Sequence, residues 1–331
     1  MPPFVFPQQR YACIQCGKSC GQWRIWVEPS LLDSLRQHPL ALRLEVAGQS
    51  YLEVEEGGLH RLGFDQQGRC FFLQDQHLCG LHASTGWQSK PRACRQFPFF
   101  LVETPEGVQV GLSFRCAAVQ RDHGVEWSEH QHDLSQLLAS GNYPKVGFDP
   151  APVGRRSLTW STYMQWEQDW RECLQSGQSL AAAVYARLQP LLDLLLDLNS
   201  FLALLEQSSA SAVAWLEGDA SIAEALNEEC AYVSPRRGPV SAVAEPFRVT
   251  PGETFARYLG HVLERKSLWL GRSFLGRLLL VLVGERLLHY YANSFQDLGA
   301  ALDLVEGEWL AHSEDLGPLE ETLAATLLQF G

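Results

Sequence analysis

The chain has 331 residues, of which 46% are hydrophobic and 19% are charged, and its formal net charge is −12. This composition is that of a folded protein with a substantial core, and it excludes a disordered chain. The first residues, MPPFVFPQQR, contain neither a basic head followed by an apolar run nor a small-residue cleavage site. No uncharged run is long enough to cross a bilayer. We therefore expect a cytoplasmic protein without membrane spans.

Acidic residues are concentrated in the second part of the chain. Up to Gly124 acidic and basic residues are nearly balanced, whereas acidic residues clearly outnumber basic ones after it. An acidic surface repels phosphate backbones, so we expect no nucleic-acid partner, while a basic peptide would be attracted at low salt. The alternative interpretation is ordinary solubility charge on helix faces.

Two hairpins are predicted in the first part of the chain. Residues 51–55 and 59–64 flank Gly57 and Gly58, a pair that readily adopts the positive φ angles of a tight turn. Residues 99–102 and 108–114 flank a Pro-Glu-Gly turn, and the second segment alternates apolar residues with polar or small ones. These patterns indicate short antiparallel strands.

After Gly124 the hydrophobic period changes to about three and a half residues, which is typical of helices. The helix that follows Thr250, Pro251 and Glu253 should cover residues 255–270 and stop at Gly271. Three further helix-start signals lie at Ser30, at Ser157 or Thr159, and at Ser294. We therefore predict an α+β fold, with a cysteine-rich metal-binding domain with short hairpins over residues 1–124 and an acidic, mainly α-helical domain over residues 125–331.

Seven of the nine cysteines lie within the first 116 residues. In a reducing cytoplasm a disulfide framework is not expected, and a metal is the usual reason for close-set thiols. All seven are therefore candidate metal ligands: Cys13, Cys16, Cys20, Cys70, Cys79, Cys94 and Cys116.

The spacing of these cysteines favours an iron–sulfur cluster and leaves zinc open. Cys13, Cys16 and Cys20 form a C-x2-C-x3-C run, and three ligands from one loop with a fourth from far away are typical of iron–sulfur sites. Structural zinc more often uses two knuckles, of which Cys79 and His82 could supply the second. Seven thiols exceed one site but fall short of eight for two. The surplus could pack in the core or take part in redox chemistry or catalysis.

Five ordered elements contain the seven cysteines: Cys13-Ile-Gln-Cys16-Gly-Lys-Ser-Cys20-Gly-Gln-Trp23-Arg-Ile25, Cys70-Phe-Phe-Leu73, Leu78-Cys79-Gly-Leu-His82, Lys90-Pro91-Arg-Ala-Cys94-Arg95-Gln-Phe97-Pro98 and Leu112-Ser-Phe-Arg-Cys116. Over about residues 11–120 this layout resembles the cysteine-cluster family of zinc- or iron-chelating proteins and, within it, the flagellin lysine N-methylases. Where that family usually has adjacent cysteines, this chain has Cys20-Gly21.

The resemblance implies a 4Fe-4S or other metal-dependent enzyme that transfers a methyl group from S-adenosylmethionine to exposed lysines of a protein substrate. The residues themselves do not show this activity. The chain lacks a G-x-G-x-x-G turn, and its cysteine gaps have the opposite order from the C-x3-C-x2-C of radical enzymes. The alternative is a non-catalytic zinc- or iron-binding module whose helical region docks a partner.

Two further patterns allow a functional and a structural interpretation. Positive charge around Cys94 could lower the pKa of a thiol, or it could form surface ion pairs. An aromatic stripe at helical spacing could line a pocket for a methyl donor or a methylated lysine, but a core face is favoured. The stripe consists of Trp160, Tyr163, Trp166 and Trp170.

Overall fold

A computed structural model describes residues 3–21, 25–74, 77–139, 141–218, 251–311 and 316–331. It divides the chain into two compact units. The helical unit consists of Met1–Gln8, Phe100–Arg115 and Tyr143–Gly331. The cysteine unit consists of Gln9–Phe99 and Cys116–Asn142. The domain boundary predicted after residue 124 stays a prediction.

Short strands and longer helices make up the described chain, and the predicted α+β class is confirmed. The strands are β1 Phe4–Val5, β2 Trp26–Val27, β3 Leu52–Val54, β4 His60–Leu62, β5 Phe99–Thr104, β6 Gly107–Leu112, β7 Ala151–Val153 and β8 Arg156–Leu158. The helices up to residue 139 are α1 Pro29–Arg36, α2 Pro39–Val46, α3 Gly80–Thr85, α4 Arg92–Gln96, α5 Ala117–Gln120 and α6 Gln131–Ala139. The later helices are α7 Trp160–Gln175, α8 Leu180–Leu192, α9 Leu198–Gly218, α10 Pro251–Glu264, α11 Phe274–Phe295, α12 Leu298–Leu304 and α13 Gly317–Leu328.

The cysteine unit is organised around a small antiparallel sheet with the order β2-β4-β3. Gly57 and Gly58, at φ 81° and 75°, make the turn between β3 and β4, so the first predicted hairpin is confirmed. Helix α1 begins at Pro29 after an N-cap at Glu28, two residues before the N-cap predicted at Ser30, because proline suits the first position of a helix. Buried apolar side chains from the sheet and helices form one core cluster: Ile25, Val27, Leu35, Ala41, Tyr51, Leu62, Phe72 and Leu81.

The helical unit contains the second sheet, with the order β1-β6-β5. Strands β5 and β6 confirm the second predicted hairpin, and β1 adds a parallel strand with Phe4 opposite Val108. Every residue of β6 is buried, including those between its apolar positions. One reason is close packing, since a Cβ on Gly111 would lie 2.3 Å from the Cβ of Arg265.

The helix starts differ in detail from the sequence-based expectations. Thr159 caps α7, since its hydroxyl accepts the N–H of Thr162 at 3.3 Å. Asp297, rather than Ser294, caps α12. Thr250 lies outside the described residues. Helix α10 ends at Glu264, earlier than predicted, because Lys266 turns the chain with φ 59° before a short 3-10 segment, Ser267–Trp269.

The aromatic stripe of α7 is a core face, as favoured. Tyr163, Trp166 and Trp170 are buried, and Trp160 is half-buried. Tyr163 stacks edge-to-face on Phe274, the first residue of α11, with ring centroids 5.8 Å apart. Among the described helices, none combines the length and apolar character needed to cross a membrane.

Candidate metal site

Backbone hydrogen bonds connect three of the candidate cysteines in the cysteine unit. The N–H of Cys70 donates to the carbonyl of Cys20 at 2.9 Å. The N–H of Leu73 donates to the carbonyl of Cys70, also at 2.9 Å, and Leu73 pairs with Cys79 in an antiparallel bridge. Cys20 is thereby hydrogen bonded to a segment that lies 50 residues later in the chain and contains both Cys70 and Cys79.

Cys94, on α4, packs against the same hydrophobic core cluster as Cys70 and Cys79. Its side chain packs, together with those of Cys70 and Cys79, against the cluster that contains Phe72 and Leu81. Three of the thiols therefore share one apolar surface, and Cys20 is hydrogen bonded to one of them through the backbone. We call Cys20, Cys70, Cys79 and Cys94 the four-thiol group.

The pKa values of three of these thiols respond to the charges of the others. Burial raises the pKa of Cys20 to about 12, and the charges of Cys70 and Cys79 add to this shift. Burial likewise raises the pKa of Cys70 to about 12, with a further contribution from Cys79. The pKa of Cys94 is raised by burial and by the other three thiols. The ammonium of Lys90 opposes the rise at Cys20 and Cys94.

The other three candidates lie where the segment before Cys13 runs beside the segment after Cys116. The N–H of Ala12 donates to the carbonyl of His123 at 2.8 Å, and Tyr11 forms an antiparallel bridge with Val125. We call Cys13, Cys16 and Cys116 the three-thiol group.

These three thiols also influence one another. Burial raises the pKa of Cys116 to about 12, and the charges of Cys16 and Cys13 add to it. The pKa of Cys16 is raised by desolvation of its sulfur and by Cys13. The pKa of the Tyr11 phenol is raised well above its usual value by burial and then by the charges of Cys116, Cys13, Cys16 and Cys20. Sequence reasoning missed the proximity of Tyr11 to these thiols.

The donor chemistry of the four-thiol group fits a soft metal or an iron–sulfur cluster. Thiolate sulfur is the ligand that these centres prefer, and a nearby ammonium offsets the accumulated negative charge. The four cysteine side chains are not arranged closely enough to coordinate one ion. In the part of the chain that the structure describes, no group of three or more His, Cys, Asp or Glu side chains is arranged to hold an ion. The sulfurs would therefore have to draw together on binding.

The remaining predicted residues have structural surroundings. His82 is exposed on α3, and partial burial and Lys90 lower its pKa. The guanidinium of Arg95 lies over the ring of Trp87, 5.4 Å from its centroid. Phe97 is half-buried, whereas Trp23 lies outside the described residues.

Two cysteines, Cys173 and Cys230, lie outside the cluster in segments with a helical pattern, where the sequence favours packing in the core. Cys173 is only half-buried, with its sulfur 3.7 Å from Oε1 of Gln178, so that expectation is wrong for it. The cause is its position one residue before the buried face that Leu174 presents. Cys230 lies outside the described residues.

Comparison with known proteins gives one family match. Residues 12–127 match the model of the CxxCxxCC family, whose description is "Putative zinc- or iron-chelating domain". This region is similar to the cysteine-cluster family. The match covers roughly a third of the chain and includes all seven candidate thiols. It supports chelation of zinc or iron and gives no support to the resemblance to flagellin methylases. No curated protein and no solved structure matches the chain.

Proposed function

We propose that the cysteine unit binds one metal centre through the four-thiol group. The observation that carries this proposal is the convergence of Cys20, Cys70 and Cys79 through backbone hydrogen bonds, with Cys94 on the same apolar surface as two of them. The family match supports zinc or iron as the metal. Of the C-x2-C-x3-C loop, this centre uses only Cys20.

The spacing of this ligand set leaves both an iron–sulfur cluster and zinc open, because it has neither the short cysteine run of iron–sulfur sites nor the paired knuckles of structural zinc. Zinc sites with four cysteines usually draw them in pairs from two knuckles with two to four intervening residues. The four thiols here come from widely separated positions, and none forms such a pair with another. Cys70 also accepts the backbone N–H of Phe72, a contact that stabilises a ligating sulfur.

The chain's own residues would hold the centre, shield one side of it and balance its charge. The apolar cluster around Phe72 excludes water from that side, and Lys90 offsets thiolate charge. A bound cluster would supply electron transfer or structural cross-linking of distant segments. A cytoplasmic location, where thiols stay reduced, is part of this proposal.

Anaerobic purification followed by elemental analysis and absorption spectroscopy tests the proposal. A brown sample with about four irons and four sulfides indicates a 4Fe-4S cluster, and a colourless sample with zinc indicates the alternative. Cys79→Ser should remove the metal, whereas Cys173→Ser, the control outside the group, should not. A protein that holds neither metal, or a Cys79→Ser variant that retains it in full, contradicts the proposal.

Lysine methylation with S-adenosylmethionine stays a prediction of the resemblance to the flagellin methylases. It would require a protein substrate with exposed lysines. Incubation of the anaerobic protein with S-adenosylmethionine and lysine-rich proteins tests it by mass spectrometry. Each methyl group adds about 14 Da to a lysine, and the absence of this gain across a broad panel would favour a non-catalytic module that docks a partner.

A further inference from the structure

We propose that a cavity in the helical unit binds a small organic ammonium ion, whose charged group pairs with the carboxylate of Glu285. The cavity has a volume of about 550 Å³, which lies in the range of small-molecule sites. The residues that line it all belong to the helical unit, so this inference does not depend on the metal centre proposed above.

Three helices and the turn after α7 form the walls of the cavity. Helix α7 contributes Arg171, Leu174 and Gln175, and α11 contributes Glu285 and His289. Residues three or four positions apart share one face of a helix, so each of these helices presents a single face to the cavity. The same spacing relates the polar and small residues from α10, which are Glu253, Ala256, Arg257, Gly260, His261 and Glu264.

Gly260 leaves space in the wall that packing does not require. It lies inside α10 without a positive φ, and a Cβ built on it would have no atom of a described residue within 4 Å. Glycine is less favourable than alanine within a helix, so neither the backbone conformation nor close packing accounts for it. The absence of a side chain keeps this part of the cavity open.

The charged side chains in the walls favour a cation. Three carboxylates face two guanidinium groups, which leaves one negative charge in excess. These groups belong to Glu253, Glu264, Glu285, Arg171 and Arg257. Glu264 and Arg171 form an ion pair and offset each other. An anionic ligand would add to the negative excess, whereas a cationic ligand would balance it.

Glu285 is the carboxylate that lacks an ion pair. It is half-buried, and burial raises its pKa, while the neighbouring Arg286 lowers it. Across the described ranges Glu285 makes no hydrogen bond or ion pair, and the guanidinium of Arg286 lies 3.5 Å from Glu206 instead. A carboxylate removed from water without a counter-charge is unfavourable, so an ammonium group bound here would stabilise it.

His261 provides a neutral hydrogen-bonding group deep in the cavity. The residue is 3% exposed, and its Nδ1 has no hydrogen-bond partner in the part of the chain that is described. Oε2 of Glu264 lies 3.7 Å from this nitrogen, which is too far for a hydrogen bond. Burial, followed by three nearby arginines, lowers the pKa of His261 to about 3. At neutral pH the ring therefore does not repel a cation and can form a hydrogen bond with the ligand.

Buried apolar side chains offer a surface to the carbon part of the ligand. Leu174, Phe255 and Leu259 line the cavity and are buried. The face of an aromatic ring such as that of Phe255 also attracts cations. Glu253 and His289 are exposed, so the cavity is accessible from solvent at this rim. The ligand is therefore an ammonium ion that carries an apolar chain or ring.

Three ligands with the same carbon chain test the preference for positive charge. Hexylamine, 1-hexanol and hexanoate are titrated into the purified full-length protein at neutral pH, and binding is measured by isothermal titration calorimetry. Hexylamine should bind at least about tenfold more tightly than 1-hexanol, because its hydrogen bond to Glu285 joins two charged groups. Hexanoate should bind most weakly.

Variants of the cavity locate the binding site. Glu285→Gln should lower the affinity for hexylamine by about tenfold and leave that for 1-hexanol unchanged. Glu321→Gln, which alters an exposed glutamate of α13 outside the cavity, is the matched control and should change neither affinity. Gly260→Leu should weaken both ligands, since the new side chain fills open space, and it should fold because leucine suits a helix. Circular dichroism checks that each variant is folded.

Two results on the parent protein would overturn the proposal even if Glu285→Gln fails to fold. They are equal affinities for hexylamine and 1-hexanol, and tighter binding of hexanoate than of hexylamine. Full hexylamine affinity in a folded Glu285→Gln variant would also refute it. Absence of hexylamine binding at about 10 mM contradicts the proposal as well.

Discussion

In the helical unit, Nζ of Lys266 lies 2.6 Å from Oε1 and 2.8 Å from Oε2 of Glu167, and both side chains are almost completely buried, with 1% and 3% exposed. The ammonium also lies 5.6 Å from the ring centroids of Trp160 and Tyr163. Lys266, which follows the end of α10 by two residues, is therefore enclosed by the carboxylate of Glu167 and by two aromatic rings of α7.

Glu167→Gln should destabilise the protein by about 3–5 kcal/mol, because it leaves a buried ammonium without its counter-charge. Urea unfolding followed by tryptophan fluorescence measures the change. Asp169→Asn, which breaks the exposed pair between Asp169 and Arg187, is the control and should cost no more than about 1 kcal/mol. Equal losses of unfolding free energy in the two variants would show that the buried pair stabilises the protein no more than the exposed pair does.

Gly124→Ala should weaken the junction where Tyr11 and Ala12 pair with His123 and Val125. The residue has φ 119°, and its new Cβ would meet backbone at 2.1 Å, so the chain must shift. Gly48→Ala is the matched control, since Gly48 has φ 67° and nothing within 4 Å, and it should cost only about 1–2 kcal/mol of backbone strain. Denaturant unfolding should show the larger loss of unfolding free energy for Gly124→Ala. Indistinguishable unfolding midpoints would argue against the tight packing.

His261 should make the helical unit lose stability as the pH falls below about 6.5. Burial, with Arg257, Arg265 and Arg171 nearby, lowers its pKa from 6.5 to about 3, so the folded state keeps it neutral while the unfolded chain takes up a proton. Its contribution to the loss is about 1.4 kcal/mol per pH unit between those values. Glu264, whose carboxylate lies 3.7 Å from the ring, has a raised pKa and acts in the opposite direction.

The comparison that isolates His261 is His261→Gln, measured by denaturant unfolding between pH 7 and pH 4. The variant should lose less stability than the parent over that range. Parallel curves for the two proteins would mean that His261 is protonated in the folded state as readily as in the unfolded chain.

Lys90→Gln should lower zinc affinity at neutral pH by about threefold to tenfold, because the ammonium lowers the pKa values of Cys20 and Cys94 and zinc binds the deprotonated thiols. The deficit should shrink as the pH rises, since the thiols then ionise without help. Competition with a chromophoric chelator measures the affinity. Lys145→Gln, which removes an exposed lysine paired with Glu103 in the helical unit, should change nothing.

Local sequence patterns predicted the elements whose geometry depends on a few neighbouring residues. Gly57 and Gly58 specify a turn because they adopt positive φ readily, and the hydroxyl of Thr159 begins α7 by accepting a backbone N–H. The end of α10 was not predictable in this way. Lys266 leaves the helix in a conformation that a side chain with a Cβ disfavours, and its burial against Glu167 comes from a helix about a hundred residues earlier.

The cysteine cluster shows the same limit. Crowding in the sequence identified the seven thiols, but spacing alone grouped Cys13, Cys16 and Cys20 together. The structure also connects this run to two distant segments, because the carbonyl of Cys20 accepts the N–H of Cys70 and the residues before Cys13 pair with those around His123. Both relationships join positions at least 50 residues apart, and a one-dimensional pattern carries no information about them.

The interleaving of the two units limits how the protein can be divided. The chain passes from one unit to the other between residues 8 and 9, 99 and 100, 115 and 116, and 142 and 143. A single protease cut or stop codon therefore cannot release either unit intact. The cysteine unit therefore has to be expressed together with the helical unit. A fragment that ends near residue 127, where the family match ends, would lack α6 of the cysteine unit.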